Sequence, residues 1–138
     1  MNAIVDDVMV EGVVMISPDQ TIGDARSLMR ERGVHALPVS DEAGHPVGML
    51  TSNDMLEDVP DDTLVARIVD SKVYSVPRYD GVHIAARIMR NHKIHHLVVT
   101  DEQKIVGIVS SFDLLKLVED HRFTMKNPPA PSKRRGKR

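Results

Sequence analysis

Two short sets of polar residues carry most of the chemistry this sequence can offer. Thr51 and Asp54 stand three apart, and so do Ser110 and Asp113, each pair just after an apolar run and at the start of a helical pattern. A carboxylate placed there has two uses. It can accept backbone N–H groups as a helix cap, or accept both hydroxyls of a ribose through its two oxygens. The Thr or Ser hydroxyl can donate to a phosphate, and the positive end of the helix dipole favours an anion at the same place. A third set consists of imidazoles, since His92, His95 and His96 of the seven histidines fall in one segment. Imidazole can donate to phosphate oxygens and gains charge near neutral pH. A metal would need three converging ligands, whereas His95 and His96 are adjacent on a strand and point to opposite faces.

Other chemistries lack their residues. The chain has no Cys, which excludes disulfides, thiolate metal sites and cysteine nucleophiles and permits a reducing compartment. It also has no phosphate-cradling Gly-rich loop and no recognisable triad spacing, so an enzyme is not expected. No apolar run approaches the roughly 18 residues of a membrane span. Asp6 and Asp7 lie where a signal peptide would carry basic and then apolar residues. A soluble, cytoplasmic protein is the expectation.

The elements that position these residues follow from composition and repetition. With 138 residues, 41% hydrophobic and only 3% aromatic, the chain suits one compact domain or two small packed halves. Its core must be built from Val, Ile, Leu, Met and Ala, which favours mixed helix and sheet layers. Ala-Arg-Ser-Leu-Met-Arg at 25–30 recurs as Ala-Ala-Arg-Ile-Met-Arg at 85–90, and Val-His-Ala-Leu-Pro-Val at 34–39 as Ile-His-His-Leu-Val-Val at 94–99. The offset of 60 then becomes 59, because Gly-Met-Leu-Thr-Ser-Asn-Asp at 48–54 matches Gly-Ile-Val-Ser-Ser-Phe-Asp at 107–113. The lost residue falls in the turn 41–45, where a deletion is cheap.

Each copy reads as strand, helix, strand, strand, helix, a mixed α/β (α+β) unit. The first strands lie at 13–16 and 73–76, followed by Pro18 and Pro77. The helix at 21–32 opens on Thr21 and Asp24 at capping-box spacing and stops at Gly33. Its apolar positions Ile22, Ala25, Leu28 and Met29 have helical spacing, matched by Val82, Ala85, Ile88 and Met89. Strand pairs follow at 36–39 with 47–50 and at 97–99 with 105–109, joined by the turns 41–44 and 101–104. Short lead-ins at 4–9 and 64–69 are either helices or linkers. This divides the chain into a first repeat over 1–60, a second over 61–122 and a tail over 123–138. A unit of about 60 residues with so few large side chains scarcely closes its own core. The two copies should therefore pack about a pseudo-twofold axis, leaving a cleft on either side.

The net charge of −2 conceals an asymmetry. Six of the 18 Lys and Arg lie from Lys126 onward, where no acid occurs, so the 20 acids face 12 bases before that point, a formal −8. The tail has no apolar periodicity and is expected to be disordered. It is either a solvated extension or a salt-sensitive contact for nucleic acid, anionic lipid or an acidic partner. No aromatic interleaves its charges to stack on bases.

The whole ordered set, occurring twice over residues 4–120, resembles the CBS domain, and two in tandem resemble a CBS pair, or Bateman module. The second copy, from Lys93 to Val99 and from Gly107 to Asp113, resembles the gamma subunit of AMP-activated protein kinase, a sensor of adenine nucleotides. That resemblance implies an adenosine-containing regulatory ligand (AMP, ADP, ATP or S-adenosylmethionine) and no required cofactor. Asp54 and Asp113 would be ribose ligands, and Thr51 and Ser110 phosphate ligands, with helix capping as the alternative for each. His95 and His96 would meet phosphate, with His35 the first-copy counterpart of His95. His96 stands where the kinase subunit has Arg, which weakens a bidentate clamp. The alternative for His35 and His95 is a hydrogen-bonded interior place. Ala25, Val47, Ala85 and Val106 would surround adenine, or else simply pack in the core. The family also implies a homodimer and a separate effector protein. A rival reading is a dimerising scaffold whose basic tail binds nucleic acid or an acidic partner; the acidic body argues against a broad nucleic-acid surface.

Overall fold

A computed structural model describes residues 3–69 and 72–120. The tail over 123–138 and the last two residues of the second repeat, 121 and 122, lie outside these residues. The elements in chain order are β1 Val10–Glu11, α1 Ile22–Arg32, β2 Ala36–Ser40, β3 Pro46–Thr51, α2 Val65–Ile68, β4 Ser75–Pro77, α3 Val82–His92, β5 His96–Asp101, β6 Lys104–Ser110 and α4 Ser111–Glu119. Single 3-10 turns occur at Val5–Asp7 and Ser52–Met55.

The local signals act as their chemistry requires. At the start of α1 the Asp24 N–H donates to Thr21 Oγ1 at 3.2 Å, and the Thr21 N–H donates to Asp24 Oδ2 at 3.1 Å. These bonds satisfy orphan donors of the first turn. Gly33 ends the helix in the left-handed region at φ 64, its N–H returning to the Met29 carbonyl. In each copy the helix buries one face through Ile22, Ala25 and Met29, or Val82, Ala85 and Met89.

Each copy keeps its antiparallel hairpin, β2 with β3 and β5 with β6. The second copy adds β4, parallel to β5, and β1, antiparallel to β6, giving the order β1-β6-β5-β4. In the first copy the strand expected at 13–16 is reduced to one parallel bridge, Ile16 to Val39. Pro38 explains the loss. The equivalent Val98 donates its N–H to the Tyr74 carbonyl at 3.3 Å, and proline has no such donor for Val14. The last helix also differs. The second copy has nine residues of α4, whereas the first stops after the turn Ser52–Met55. Asn53, Asp54, Asp58 and Pro60 make that stretch a poor helix former, and so the expected helix there is corrected to a turn.

The lead-ins cross over. Val5 and Val8 are buried with Val76, Val82, Leu97 and Val109 of the second copy, and the Val5 N–H donates to the Asp80 carbonyl at 2.8 Å. Val65 is buried with Ile16, Ile22, Leu37 and Leu50 of the first copy, and the Ile22 N–H donates to the Thr63 carbonyl at 2.8 Å. The repeat boundary near residue 60 is thus a boundary of sequence, across which each half lends an apolar turn to the other. Val5 and Val65 are both fully buried, each stabilising the fold by about 2 kcal/mol.

Two further contacts fix β1. A side chain at Gly107 would bring its Cβ to 2.6 Å from the Val10 carbonyl oxygen, so glycine is what lets the strand approach. Arg78 then clasps the N-terminal segment, reaching Asp6 at 2.7 Å, Glu11 at 3.2 Å and Asp101 at 3.4 Å.

Candidate ligand clefts

Thr51 and Ser110 end β3 and β6, where the chain turns out of the sheet into a helical turn. In both copies the carbonyl of a histidine anchors that turn. The Ser52 N–H donates to the His35 carbonyl and the Ser111 N–H to the His95 carbonyl, each at 2.9 Å. The Asp that follows closes back on the same strand end. Asp54 Oδ2 accepts from the Thr51 N–H at 2.8 Å and from Thr51 Oγ1 at 3.1 Å. Asp113 Oδ2 accepts from the Ser110 N–H at 2.8 Å, while Ser110 Oγ accepts from the Asp113 N–H at 3.1 Å. These capping bonds fall on Oδ2 of each carboxylate, and in the first copy they also use the one hydrogen of the Thr51 hydroxyl, whereas Ser110 Oγ only accepts.

The two motifs open onto separate clefts between the copies. Ser110 and Asp113 border a narrow cleft of about 370 Å³, whose opposite wall runs from Val10 to Val14 and includes Val34, Ala36 and Leu37. Thr51 and Asp54 border a wider one of about 580 Å³, together with Tyr74, Lys93, His95 and Ile94. Both volumes lie in the range of small-molecule sites. His35 and His96 border both clefts.

The imidazoles differ in their surroundings. His35 and His95 are exposed, which corrects the alternative of an interior place for them. His95 Nδ1 lies 3.3 Å from Ser111 Oγ. His96 is half-buried on β5, directly opposite Ser110 on β6. Burial pushes its imidazole below the usual histidine range, the charges of His95 and His35 push the same way, and Asp113 opposes them. Among the described residues no group of three His, Asp or Glu could hold a metal ion.

The expected adenine-lining positions lie elsewhere. Ala25 and Ala85 are fully buried in the two half cores, and Val47 and Val106 pack against those cores half-buried. None of the four borders either cleft: Ala25 on α1 and Ala85 on α3 face the half cores, and Val47 on β3 and Val106 on β6 pack against them. The apolar surface within the clefts comes instead from Val10, Val13, Val14 and Ile108 in one and Met49, Tyr74 and Ile94 in the other. Sequence reading also missed Glu11, Arg32, Lys72 and Lys93, which bring charge to the walls. Only Lys93 left a trace, as the residue aligned with the helix-stopping Gly33. Tyr74 stacks on His92 at 4.1 Å between ring centres, giving the wide cleft an aromatic flank.

Two like halves, each ending a hairpin in a capped turn beside a shared cleft, define a tandem-repeat module built round the seam between its copies. The CBS domain model matches residues 5–61 and 65–120, and the chain belongs to the CBS domain family. It is 33% identical over 115 residues to the CBS domain-containing protein YhcV of Bacillus subtilis, covering 80% of this chain and 81% of that one. It is 34% identical over 125 residues to a homoserine O-acetyltransferase of Methanosalsum zhilinae, covering 89% of this chain but only 25% of the enzyme's length. The fold is that of the CBS domain pair of protein MJ0100, solved in complex with 5′-methylthioadenosine and S-adenosyl-L-methionine (TM-score 0.80, 24% identity, 87% of this chain and 98% of that one). It is likewise that of CBSX2, solved in complex with AMP (TM-score 0.75, 22% identity, 85% and 96%). Among the described residues no helix is long and apolar enough to cross a membrane.

Proposed function

We propose that this protein is a non-catalytic regulatory module that binds an adenosine-containing ligand in the clefts between its repeats and passes occupancy to an effector protein through its shape. One observation carries the reading: Thr51 with Asp54, and Ser110 with Asp113, each form a capped turn at the edge of a cleft walled by both copies. The ligands named for MJ0100 and CBSX2 are all adenosyl compounds, which supports the same class here. Asp54 and Asp113 would accept ribose hydroxyls, while Ser110, Thr51 and the histidines would face the 5′ substituent. Because each cleft is walled by both repeats, a ligand favouring one arrangement of the repeats shifts the population toward it.

The test is a thermal-shift panel of AMP, ADP, ATP and S-adenosylmethionine. A ligand at about 100 times its dissociation constant adds about 2.7 kcal/mol of stability. That increment is expected to shrink in Asp54→Ala and Asp113→Ala, judged against each variant's own unliganded baseline; full retention in both rejects the reading.

A second copy of the chain is the further partner we propose. Phe112, Leu115 and Val118 lie along one side of α4 and are each more than half exposed, and Leu56 stands at the first-copy position equivalent to Leu115. Sedimentation at micromolar concentration should give twice the chain mass, and a clean monomer would remove the dimer.

A further inference from the structure

Arg78 holds three segments of the chain at once. Its guanidinium reaches Asp6 in the lead-in at 2.7 Å, Glu11 on β1 at 3.2 Å and Asp101 at the end of β5 at 3.4 Å. Its backbone joins two of the same segments, the carbonyl accepting the Asp6 N–H at 2.8 Å and the N–H donating to the Thr100 carbonyl at 2.9 Å. The first copy has Pro18 at the equivalent place, and its Asp41, the counterpart of Asp101, pairs with His45 instead. The clasp thus serves one side of the molecule, and Arg78 itself borders neither cleft.

Its three carboxylates are not held alike. Asp6 follows the fully buried Val5, and Asp101 ends a six-residue strand of the second hairpin. Glu11 lies on a strand of only two residues, both exposed, paired with β6 at Val10 with Ile108 and at Glu11 with Gly107. Gly12 follows at φ 66, with open space where a Cβ would stand. The stretch 10–14 walls the narrow cleft, none of its residues is buried, and Glu11 is its one charged residue. It runs between two anchors, Val8 in the second core and Ile16 in the first. A segment this poor in buried contacts opens more readily than the cores at its ends.

We propose that residues 10–14 form a movable wall of the narrow cleft and that Arg78 is its positioning residue, holding the wall on β6 through Glu11 and so setting the cleft's affinity without touching the ligand. The choice of ligand rests on the adenosyl-binding reading above, while the wall itself rests on the contacts just described. A cleft whose wall is in place only part of the time binds more weakly in proportion to that fraction. The two roles open to Glu11 act in opposite senses on an anionic ligand. A bare carboxylate at the cleft repels phosphate, so its loss strengthens binding. A handle for Arg78 steadies the wall, so its loss weakens binding.

The experiment has two readings. Hydrogen exchange of the unliganded full chain follows the amides of 10–14, which should exchange about threefold faster in Glu11→Gln, the scale of one exposed ion pair, and at least that in Arg78→Gln. Calorimetric titration with AMP, in a background of Asp54→Ala that weakens the wide cleft, should show affinity lower by about the same factors. The double variant should match Arg78→Gln alone, because both changes remove one contact, and Arg78→Lys should recover part of the loss. Arg78→Gln also strips Asp6 and Asp101 of their partner, whereas Glu11→Gln touches a side chain 66% exposed, so a lost signal there is not unfolding. Unchanged exchange, a gain of AMP affinity in Glu11→Gln, or a further threefold loss in the double variant overturns the proposal. If AMP binds none of the chains, the adenosyl-binding reading falls, and the exchange rates still decide the wall.

Discussion

The narrow and wide clefts start from the same hairpin end and differ in almost everything that faces it. Thr51 matches Ser110, Asp54 matches Asp113, and the His35 and His95 carbonyls take equivalent bonds. Those residues satisfy backbone groups where the hairpin ends, while Ala25 and Ala85 keep the same place in the two cores. Opposite them, Ala36 becomes His96, Val14 becomes Tyr74 and Gly33 becomes Lys93. The comparison teaches that the two copies share the capped hairpin end and the core positions beneath it, while the wall opposite differs in shape and chemistry.

The largest expected effect falls on the narrow cleft alone. Gly107→Val would drive its side chain into the Val10 carbonyl and detach β1, costing about 3 kcal/mol as an overpacked site. The cleft bordered by Val10 to Val14 should lose its ligand while the wide cleft keeps its own, and chemical denaturation with paired titrations would read both. Equal loss in both clefts would break the distinction drawn between them.

A smaller effect concerns the imidazole that the clefts share. His96 is held below its ordinary pKa by burial and by His95 and His35, against the pull of Asp113. The folded chain therefore refuses a proton that the unfolded chain takes near pH 6.5. Stability contributed by His96 is present above about pH 6.5 and is lost as pH falls from there toward the folded pKa. His96→Asn should flatten the melting temperature over that window. A phosphate beside His96, which borders both clefts, would supply the missing counter-charge, so ATP affinity should rise on acidification where 5′-methylthioadenosine affinity does not. An identical pH response for both ligands would place His96 away from the phosphate.

Much of this arrangement was legible in the residues. Helix faces follow Ile22, Ala25 and Met29 at their spacing, and the capped turns follow Thr51–Asp54 and Ser110–Asp113. Three features were not legible. The Pro38 effect on the first strand depends on which neighbour's carbonyl its N–H would have met, a pairing fixed by register. The shortened helix after Ser52 was hidden by the match to Ser111–Glu119, because propensity decides a marginal helix only where packing does not. Ala25 and Ala85 were read toward adenine from family likeness, whereas their helical phase had already set them beside Met29 and Met89 in the cores. The charged cleft walls left the weakest trace, since Glu11, Arg32 and Lys72 look in sequence like any solvated surface.

The crossed lead-ins carry a consequence for the integrity of the chain. Because Val5 sits among the second copy's residues and Val65 among the first's, a protease nick between Asp58 and Asp62, where the repeats join, would separate the halves in covalent terms only. The fragments should co-elute, and either half produced alone should seek a stranger's copy to supply the turn it lacks.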